Sequence, residues 1–120
     1  MGLSREIVEK IYKVKRNRKN EIVTKQPKGV LIAGLTEDDQ IAIGYSLCHK
    51  TDRFDYIHRH IKAKGFGRKL AEERAAKWSK YELVKVPGSI KSDLDKFICR
   101  CKKFYKDRKF VPWVENLIQR

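Results

Sequence analysis

The most regular pattern of apolar and polar positions lies in the first half of the chain. Residues 29–35 (GVLIAGL) and 40–48 (QIAIGYSLC) are short runs rich in strand-forming residues, and the TEDD segment between them supplies turn chemistry. Together they predict a β-hairpin over 29–48. In the second run Ile41, Ile43 and Tyr45 alternate with small residues, which predicts one bulky face and one small face that can pack closely on a helix.

Other segments carry apolar residues at helical spacing, three and four residues apart. Ser4 is a suitable N-cap for the first of them, and Pro112 suits the first turn of the last. The alternating stretch YELVKV predicts a possible third strand over 81–86. Helices are predicted near 4–16, 67–80, 89–106 and 112–118. The expected fold is therefore α+β, a small antiparallel sheet packed by helices, in a single domain spanning 1–120.

The net charge of the chain indicates which classes of partner to expect. Lys and Arg number 29 against 15 Asp and Glu, a net charge of +14, while 41% of the residues are hydrophobic, which is enough to build a core. Such a surplus favours polyanions, chiefly nucleic acid, although an acidic protein surface would also be attracted. Residues 30–49 carry three acidic and no basic side chains. The TEDD turn is therefore expected to point away from the basic surface.

Several function classes are not favoured by the sequence. No apolar run approaches the ~18 residues of a membrane span, and MGLSREIVEK lacks the apolar region of a signal peptide, so a cytoplasmic protein is expected. Cys48, Cys99 and Cys101 are an odd number, which argues against a disulfide framework, and Cys-x-Cys lacks the second ligand pair of a zinc site. We predict no metal, no cofactor and no catalytic residue.

Basic side chains are interleaved with aromatic ones between residues 49 and 64, and a basic face follows the long helix predicted after Pro87. Lys and Arg neutralise phosphates, and aromatic rings stack on unpaired bases. The predicted nucleic-acid-binding residues are Lys50, Arg53, Tyr56, Arg59, Lys62, Lys64, Arg68, Lys96, Arg100 and Lys103. The alternative interpretation is a solvated basic loop whose aromatic residues, Phe54 and Tyr56, lie in the core.

The stretch KAKGFGRKL places Lys62, Gly65 and Gly67 at the spacing of a turn whose backbone N–H groups face a pyrophosphate. With the preceding hairpin, the following YELVKV and the late KKFYKDRKFVP, the chain resembles acetyl-CoA-dependent N-acetyltransferases. The resemblance implies that the backbone around residues 65–68 holds the pyrophosphate and that Tyr105 acts as an acid. The alternative, which we favour, is that the two glycines bend the chain into a helix and let it pack.

A second resemblance covers residues 44–106. GYSLCHKTDRF, GRKLAEERAAKW and VPGSIKSDLDKFICRCKKFYK resemble, in that order, a pattern in small uncharacterised proteins of tailed bacteriophages. The matching positions are Gly44, Ser46, Cys48, Asp52, Phe54, Gly67, Leu70, Ala71, Arg74, Ala75, Arg100, Cys101 and Tyr105. This resemblance implies a genetic setting and no reaction.

Three hypotheses follow for the function. The leading one is a small basic phage-type protein that binds nucleic acid, DNA or RNA, without catalysis. A second is a modulator that binds an acidic host protein of a defence or transcription machine, and it predicts a stoichiometric partner that survives nuclease treatment. The third is an acetyl-CoA-dependent acetyltransferase-like enzyme, which predicts thermal stabilisation by CoA that Gly65→Glu abolishes.

Overall fold

An antiparallel sheet forms the centre of the computed structural model, which describes residues 3–47 and 66–119. Its strands are β1 (Ser4–Arg16), β2 (Ile22–Leu35) and β3 (Ile41–Leu47), and they lie side by side in chain order. The predicted hairpin over 29–48 is thus confirmed. Thr36 closes its turn, since the Thr36 N–H donates to Gln40 O at 2.9 Å and the Thr36 hydroxyl accepts from the Gln40 N–H.

Three α-helices accompany the sheet in the described part of the chain. They are α1 (Phe66–Trp78), α2 (Lys91–Tyr105) and α3 (Pro112–Ile118), with a 3₁₀ turn (Gly88–Ile90) leading into α2. The helices predicted near 67–80, 89–106 and 112–118 are confirmed, and so is the α+β class.

The helix predicted near 4–16 is wrong, because this segment is strand β1. Ile7 and Ile11 are both buried and stand four residues apart, a spacing that suits a helical turn and the two-residue alternation of a strand equally well. Val8, Tyr12 and Val14 in the same segment are also of residue types that favour strands. Pairing with β2 decides the outcome, with Ile7 opposite Ala33 and Ile11 opposite Gly29.

The possible third strand at 81–86 is also wrong, because residues 81–87 run irregularly. The outer edge of β3 is used by other groups. The Ile41 N–H donates to Lys109 O at 2.8 Å, the Val111 N–H donates to Ile41 O at 3.0 Å, and Arg74 donates to Tyr45 O at 3.1 Å. The carbonyls of residues 82 and 85 accept from side chains instead of a strand neighbour.

One face of the sheet packs on α1, as the small side chains of β3 predicted. A Cβ added to Gly44 would lie 2.1 Å from Ala71 O and 2.5 Å from Ala75 N, so only glycine allows this approach. Ala71 and Ala75 are fully buried. The helix therefore rests on the sheet through small residues on both sides.

The other face of the sheet carries the bulky side chains and packs on α2 and α3. The apolar residues that recur at helical spacing from Ile90 onwards are all buried in this core: Ile90, Leu94, Phe97, Ile98, Cys101 and Tyr105. An aromatic series closes one side of this core, with Trp78 5.1 Å from the Tyr45 ring and 6.2 Å from the Trp113 ring between centroids. The sheet consequently lies between α1 and α2.

Candidate nucleic-acid interface

The first two strands continue beyond the third and form a two-stranded projection. Leu47 of β3 pairs with Gly29, so the part of β2 before Gly29 pairs with β1 alone. We call residues 12–28 the basic arm, because they carry seven Lys or Arg side chains and a single acidic one, Glu21. In this arm the excess positive charge is concentrated on an element only two strands wide.

The tip of the arm is an ordered turn organised by Asn17. Its Oδ1 accepts hydrogen bonds from the N–H groups of Lys19, at 2.9 Å, and Glu21, at 3.0 Å. The Asn17 N–H donates to Glu21 O, and Asn20 takes a left-handed conformation with φ 64°. Asparagine tolerates this conformation better than most residues, and its amide commonly forms such local turns. The turn places Arg18 and Lys19 at the apex.

Most basic side chains of the arm with described positions are exposed and lack an acidic partner. Lys15, Arg18 and Lys19 form no ion pair with any described residue, and Arg16 uses one guanidinium nitrogen to donate to Asn20 O at 3.0 Å. Their charges are therefore compensated by solvent ions alone within the described part of the protein. A polyanion would replace those ions.

A second basic surface runs beside the first strand, on helix α2. The helix lies antiparallel to β1: the Tyr105 hydroxyl donates to Arg5 O at 2.5 Å, whereas Asp93 and Lys96 lie next to Val14. Lys96, Arg100 and Lys103 are exposed along its outer side, and we call these three residues the α2 flank. The structure therefore brings together three of the residues predicted from sequence.

A shallow groove of about 210 Å³ joins the basic arm to the α2 flank. Lys96 borders it on the helix side and Lys10 on the strand side. The lining residues are Glu9, Lys10, Ile11, Tyr12, Val14, Asp93 and Lys96. The arm and the flank consequently form one continuous surface.

Lys28 fixes the base of the arm to the start of α2. Its Nζ lies 3.8 Å from the Asp93 carboxylate and donates to Ser89 O. Both partners belong to the segment that begins α2, so the arm and the α2 flank hold a defined mutual position.

Arg68, also predicted to bind nucleic acid, lies on the opposite side of the sheet, on α1. It is half exposed and its guanidinium is 3.7 Å from the Glu6 carboxylate. Burial raises the pKa of Glu6, the neighbouring Glu72 carboxylate raises it further, and Arg68 lowers it. The structure therefore separates Arg68 from the α2 flank and gives it a local partner.

The other six predicted residues, Lys50, Arg53, Tyr56, Arg59, Lys62 and Lys64, lie outside the described residues. The described residues on either side of that segment both lie near the base of the arm. Leu47 pairs with Gly29, and Gly67 faces Val30 and Ser46 at 3.8 and 3.9 Å from an added Cβ.

Gly67 and Tyr105, singled out for cofactor chemistry, have described positions. Gly67 belongs to the first turn of α1, where an added Cβ would make ordinary contacts with the sheet, whereas Lys62 and Gly65 lie in the segment without described positions, so the interpretation of the two glycines stays a prediction. Tyr105, which the acetyltransferase resemblance made an acid, is fully buried, and burial raises the pKa of its hydroxyl. That hydroxyl donates to Arg5 O, so the ring ties α2 to the start of β1.

The described cysteines differ in environment. Cys101 is buried under β1, and burial raises the pKa of its thiol to about 12, whereas Cys99 is exposed. Across residues 3–47 and 66–119 no group of three His, Cys, Asp or Glu side chains is placed to hold a metal ion.

The chain matches no family model, no curated protein and no solved structure. None of the described helices has the length and apolar character needed to cross a membrane.

Sequence reasoning missed the basic arm, including Lys15, Arg16, Arg18 and Lys19, and the adjacent Lys10. It placed KVKRNRKN at the end of the helix predicted near 4–16 and not in a hairpin. Part of the signal was present: Tyr12 and Val14 alternate with lysines before NRKN, and EIVTK, which follows it, contains three β-branched residues. Strand-forming residues on both sides of an Asn-containing turn indicate a hairpin.

Proposed function

We propose that this protein binds nucleic acid without catalysis, through the surface formed by the basic arm and the α2 flank. The observation that carries the proposal is that exposed Lys and Arg side chains without an ion-pair partner among the described residues lie on two neighbouring elements, the arm and α2, which border one groove that also carries Glu9 and Asp93. A row of fixed cations suits the repeating phosphates of a polymer better than a single small anion.

Electrostatics supports a binding role. Clustering like charges on a narrow arm costs free energy through mutual repulsion, and a polyanion relieves this repulsion while it releases its own counterions. Among the described residues, the basic side chains that form ion pairs lie away from the arm tip and the α2 flank: Lys28, Arg68 and Arg108. The arm tip and the α2 flank keep their charges available.

The Tyr105 hydroxyl and the Cys101 thiol have shifted pKa values, and the direction of the shift indicates a packing role and not catalysis. The pKa values of Tyr105 and Cys101 are both raised by burial, which keeps these groups neutral. A nucleophilic cysteine requires the opposite shift and access to substrate. Both side chains are instead part of the contact between α2 and the sheet.

Salt-dependent binding is the first test. Fluorescence anisotropy titrations with duplex DNA, single-stranded DNA and RNA at several salt concentrations give the slope of log affinity against log salt. Two variants are compared with the wild type: Lys15→Ala/Arg18→Ala/Lys19→Ala in the arm and Lys96→Ala/Arg100→Ala/Lys103→Ala in the α2 flank. Because each phosphate contact adds about 0.9 to the slope on B-DNA, either variant is expected to flatten it by up to roughly 2.7.

A matched control removes the same charge elsewhere. Lys77→Ala/Lys80→Ala/Lys109→Ala changes three exposed lysines at the end of α1 and beside the outer edge of β3. It is expected to leave the slope within the error of the wild-type value. Equal flattening in all three variants would show that net charge alone matters, and negligible binding near physiological salt would overturn the proposal. A stoichiometric partner that resists nuclease would then favour the acidic-protein hypothesis.

A further inference from the structure

We propose that the basic arm enters the major groove of duplex DNA as a two-stranded β-ribbon. This inference rests on the proposed function and adds to it the polymer class and the mode of binding. It starts from the shape of the arm, the position of the α2 flank beside it, and exposed apolar side chains on the arm that phosphate binding does not require.

The dimensions of the arm suit this groove. Two paired strands lie about 4.8 Å apart, and the seven residues from Ile22 to Lys28 extend the ribbon by roughly 20 Å past the end of β3. The major groove of B-DNA is about 12 Å wide and 8.5 Å deep and admits a two-stranded ribbon. The arm is longer than the groove is wide, so it can lie face-on in the groove with its tip at the phosphates of the far side while the rest of the sheet stays outside.

The charges lie where the phosphates would be. Arg18 and Lys19 are at the tip, and Lys15 is on the strand that leads to it. Lys96 borders the shallow groove of the protein at the base of the arm, and the α2 flank continues from there along β1. With the arm inserted, the α2 flank would meet the phosphate backbone at the rim of the groove, which is the usual source of affinity and register.

Exposed aliphatic side chains on the arm distinguish base contact from phosphate contact. Ile22 and Val23 are 55% and 58% exposed. Strand propensity favours β-branched residues on this arm, but threonine would satisfy it without exposing apolar surface. In the major groove each thymine presents a C5-methyl group, and apolar side chains make contact with it. These residues therefore have a matching ligand in duplex DNA.

The same residues argue against the other polymers. Binding of single strands uses exposed aromatic rings as stacking platforms, and the one aromatic residue of the arm, Tyr12, is half-buried beside the groove next to α2. The major groove of A-form RNA is deep and too narrow for side chains to read. Duplex DNA is the polymer whose groove accepts both the width of the arm and its aliphatic side chains.

The test measures binding of four probes to the protein by anisotropy at several salt concentrations, and their affinities are compared at one of them. The probes are an A·T-rich DNA duplex, the same duplex with deoxyuridine in place of thymidine, the corresponding RNA duplex and a single DNA strand. The thymidine duplex is expected to bind most tightly. Loss of the methyl groups is expected to weaken binding several-fold, and the RNA duplex to bind more weakly still.

Paired variants assign any methyl effect to the arm. Ile22→Ser/Val23→Ser is expected to bind both DNA duplexes equally while it keeps the wild-type salt slope, because its phosphate contacts are intact. Tyr81→Ser/Leu83→Ser removes two other exposed apolar side chains, far along the chain from the arm, and is expected to retain the preference for thymidine. Circular dichroism confirms that each variant is folded.

The outcomes distinguish the major-groove inference from the proposed function. Tight, salt-dependent binding with equal affinity for all four probes would overturn the major-groove inference and leave the proposed function standing. A thymidine preference that survives Ile22→Ser/Val23→Ser would also overturn it, as would tightest binding to the single strand or to duplex RNA. Failure of every probe to bind would overturn both proposals together.

Discussion

Gly44 is the residue at which the sheet and α1 come closest. Any side chain there must displace backbone atoms of Ala71 and Ala75. We expect Gly44→Ala to lower the free energy of unfolding by roughly 1–3 kcal/mol, the usual cost of overpacking a core. Urea denaturation of the purified variant measures this change.

Gly88→Ala is the matched control, because a Cβ at Gly88 meets no atom within 4 Å. It is expected to change stability by less than roughly 0.5 kcal/mol, as is usual at exposed positions. A Gly44→Ala protein as stable as the wild type would mean that α1 does not rest on β3 at the described distance.

Glu6 makes the free energy of unfolding depend on pH. Because burial and Glu72 raise its pKa in the folded state above the ordinary 4.5, the folded protein keeps a proton that the unfolded chain releases. The Glu6 contribution is therefore fully present below pH 4.5 and is lost as the pH rises through the folded-state pKa. Arg68 lowers the pKa of Glu6, so it reduces the pH range over which Glu6 changes the stability.

Glu6→Gln is expected to remove this contribution. In urea denaturation measured from pH 4 upward at about half-unit steps, the unfolding free energy of the wild type should fall relative to that of the variant as the pH rises. Glu21→Gln, a change of the same charge at the exposed arm, should follow the wild-type profile. Parallel profiles for the wild type and Glu6→Gln would contradict the assignment.

At the scale of single elements, sequence patterns predicted what local spacing determines. The apolar stripe of α2, from Ile90 to Tyr105, has helical spacing and no competing period, and all its members are buried. Strand β1 was mispredicted because a four-residue spacing satisfies both periods. The choice between them depends on β2, which pairs with β1 through register and bulges that are not visible in the segment itself.

The arm tip offers a direct test of local order. Asn17→Ala removes the acceptor of two amide hydrogen bonds, each worth a net ~0.5–1.5 kcal/mol, so the amides of Lys19 and Glu21 should exchange with solvent roughly two- to tenfold faster. Hydrogen exchange followed by NMR measures this rate at each amide.

Lys19→Ala serves as the control for that measurement. It shortens the neighbouring side chain and leaves both Asn17 hydrogen bonds in place, so the amide of Glu21 should keep its wild-type exchange rate. Unchanged exchange in Asn17→Ala would mean that the turn does not depend on its side chain.

For the whole molecule, sequence established the charge surplus and the acidic TEDD turn but not which basic residues are neighbours. The 14 residues of β2 separate the arm tip from the TEDD turn. In that turn Asp39 forms an ion pair with Arg108 at 2.9 Å. Lys10 and Lys96 meet at one groove although 86 positions separate them in the chain. Such proximity depends on helix α2 crossing the sheet antiparallel to β1, which no local pattern encodes.

The hydrogen bond from Tyr105 to Arg5 joins residues 100 positions apart, and it has a consequence for synthesis. The sheet is complete once residue 47 has left the ribosome, but the helices that cover its bulky face come from residues 91–118. A nascent protein that forms the sheet at that stage exposes its bulky apolar face until those helices have been translated. Its final closure is a long-range step, so it is expected to fold more slowly than helical proteins of similar length.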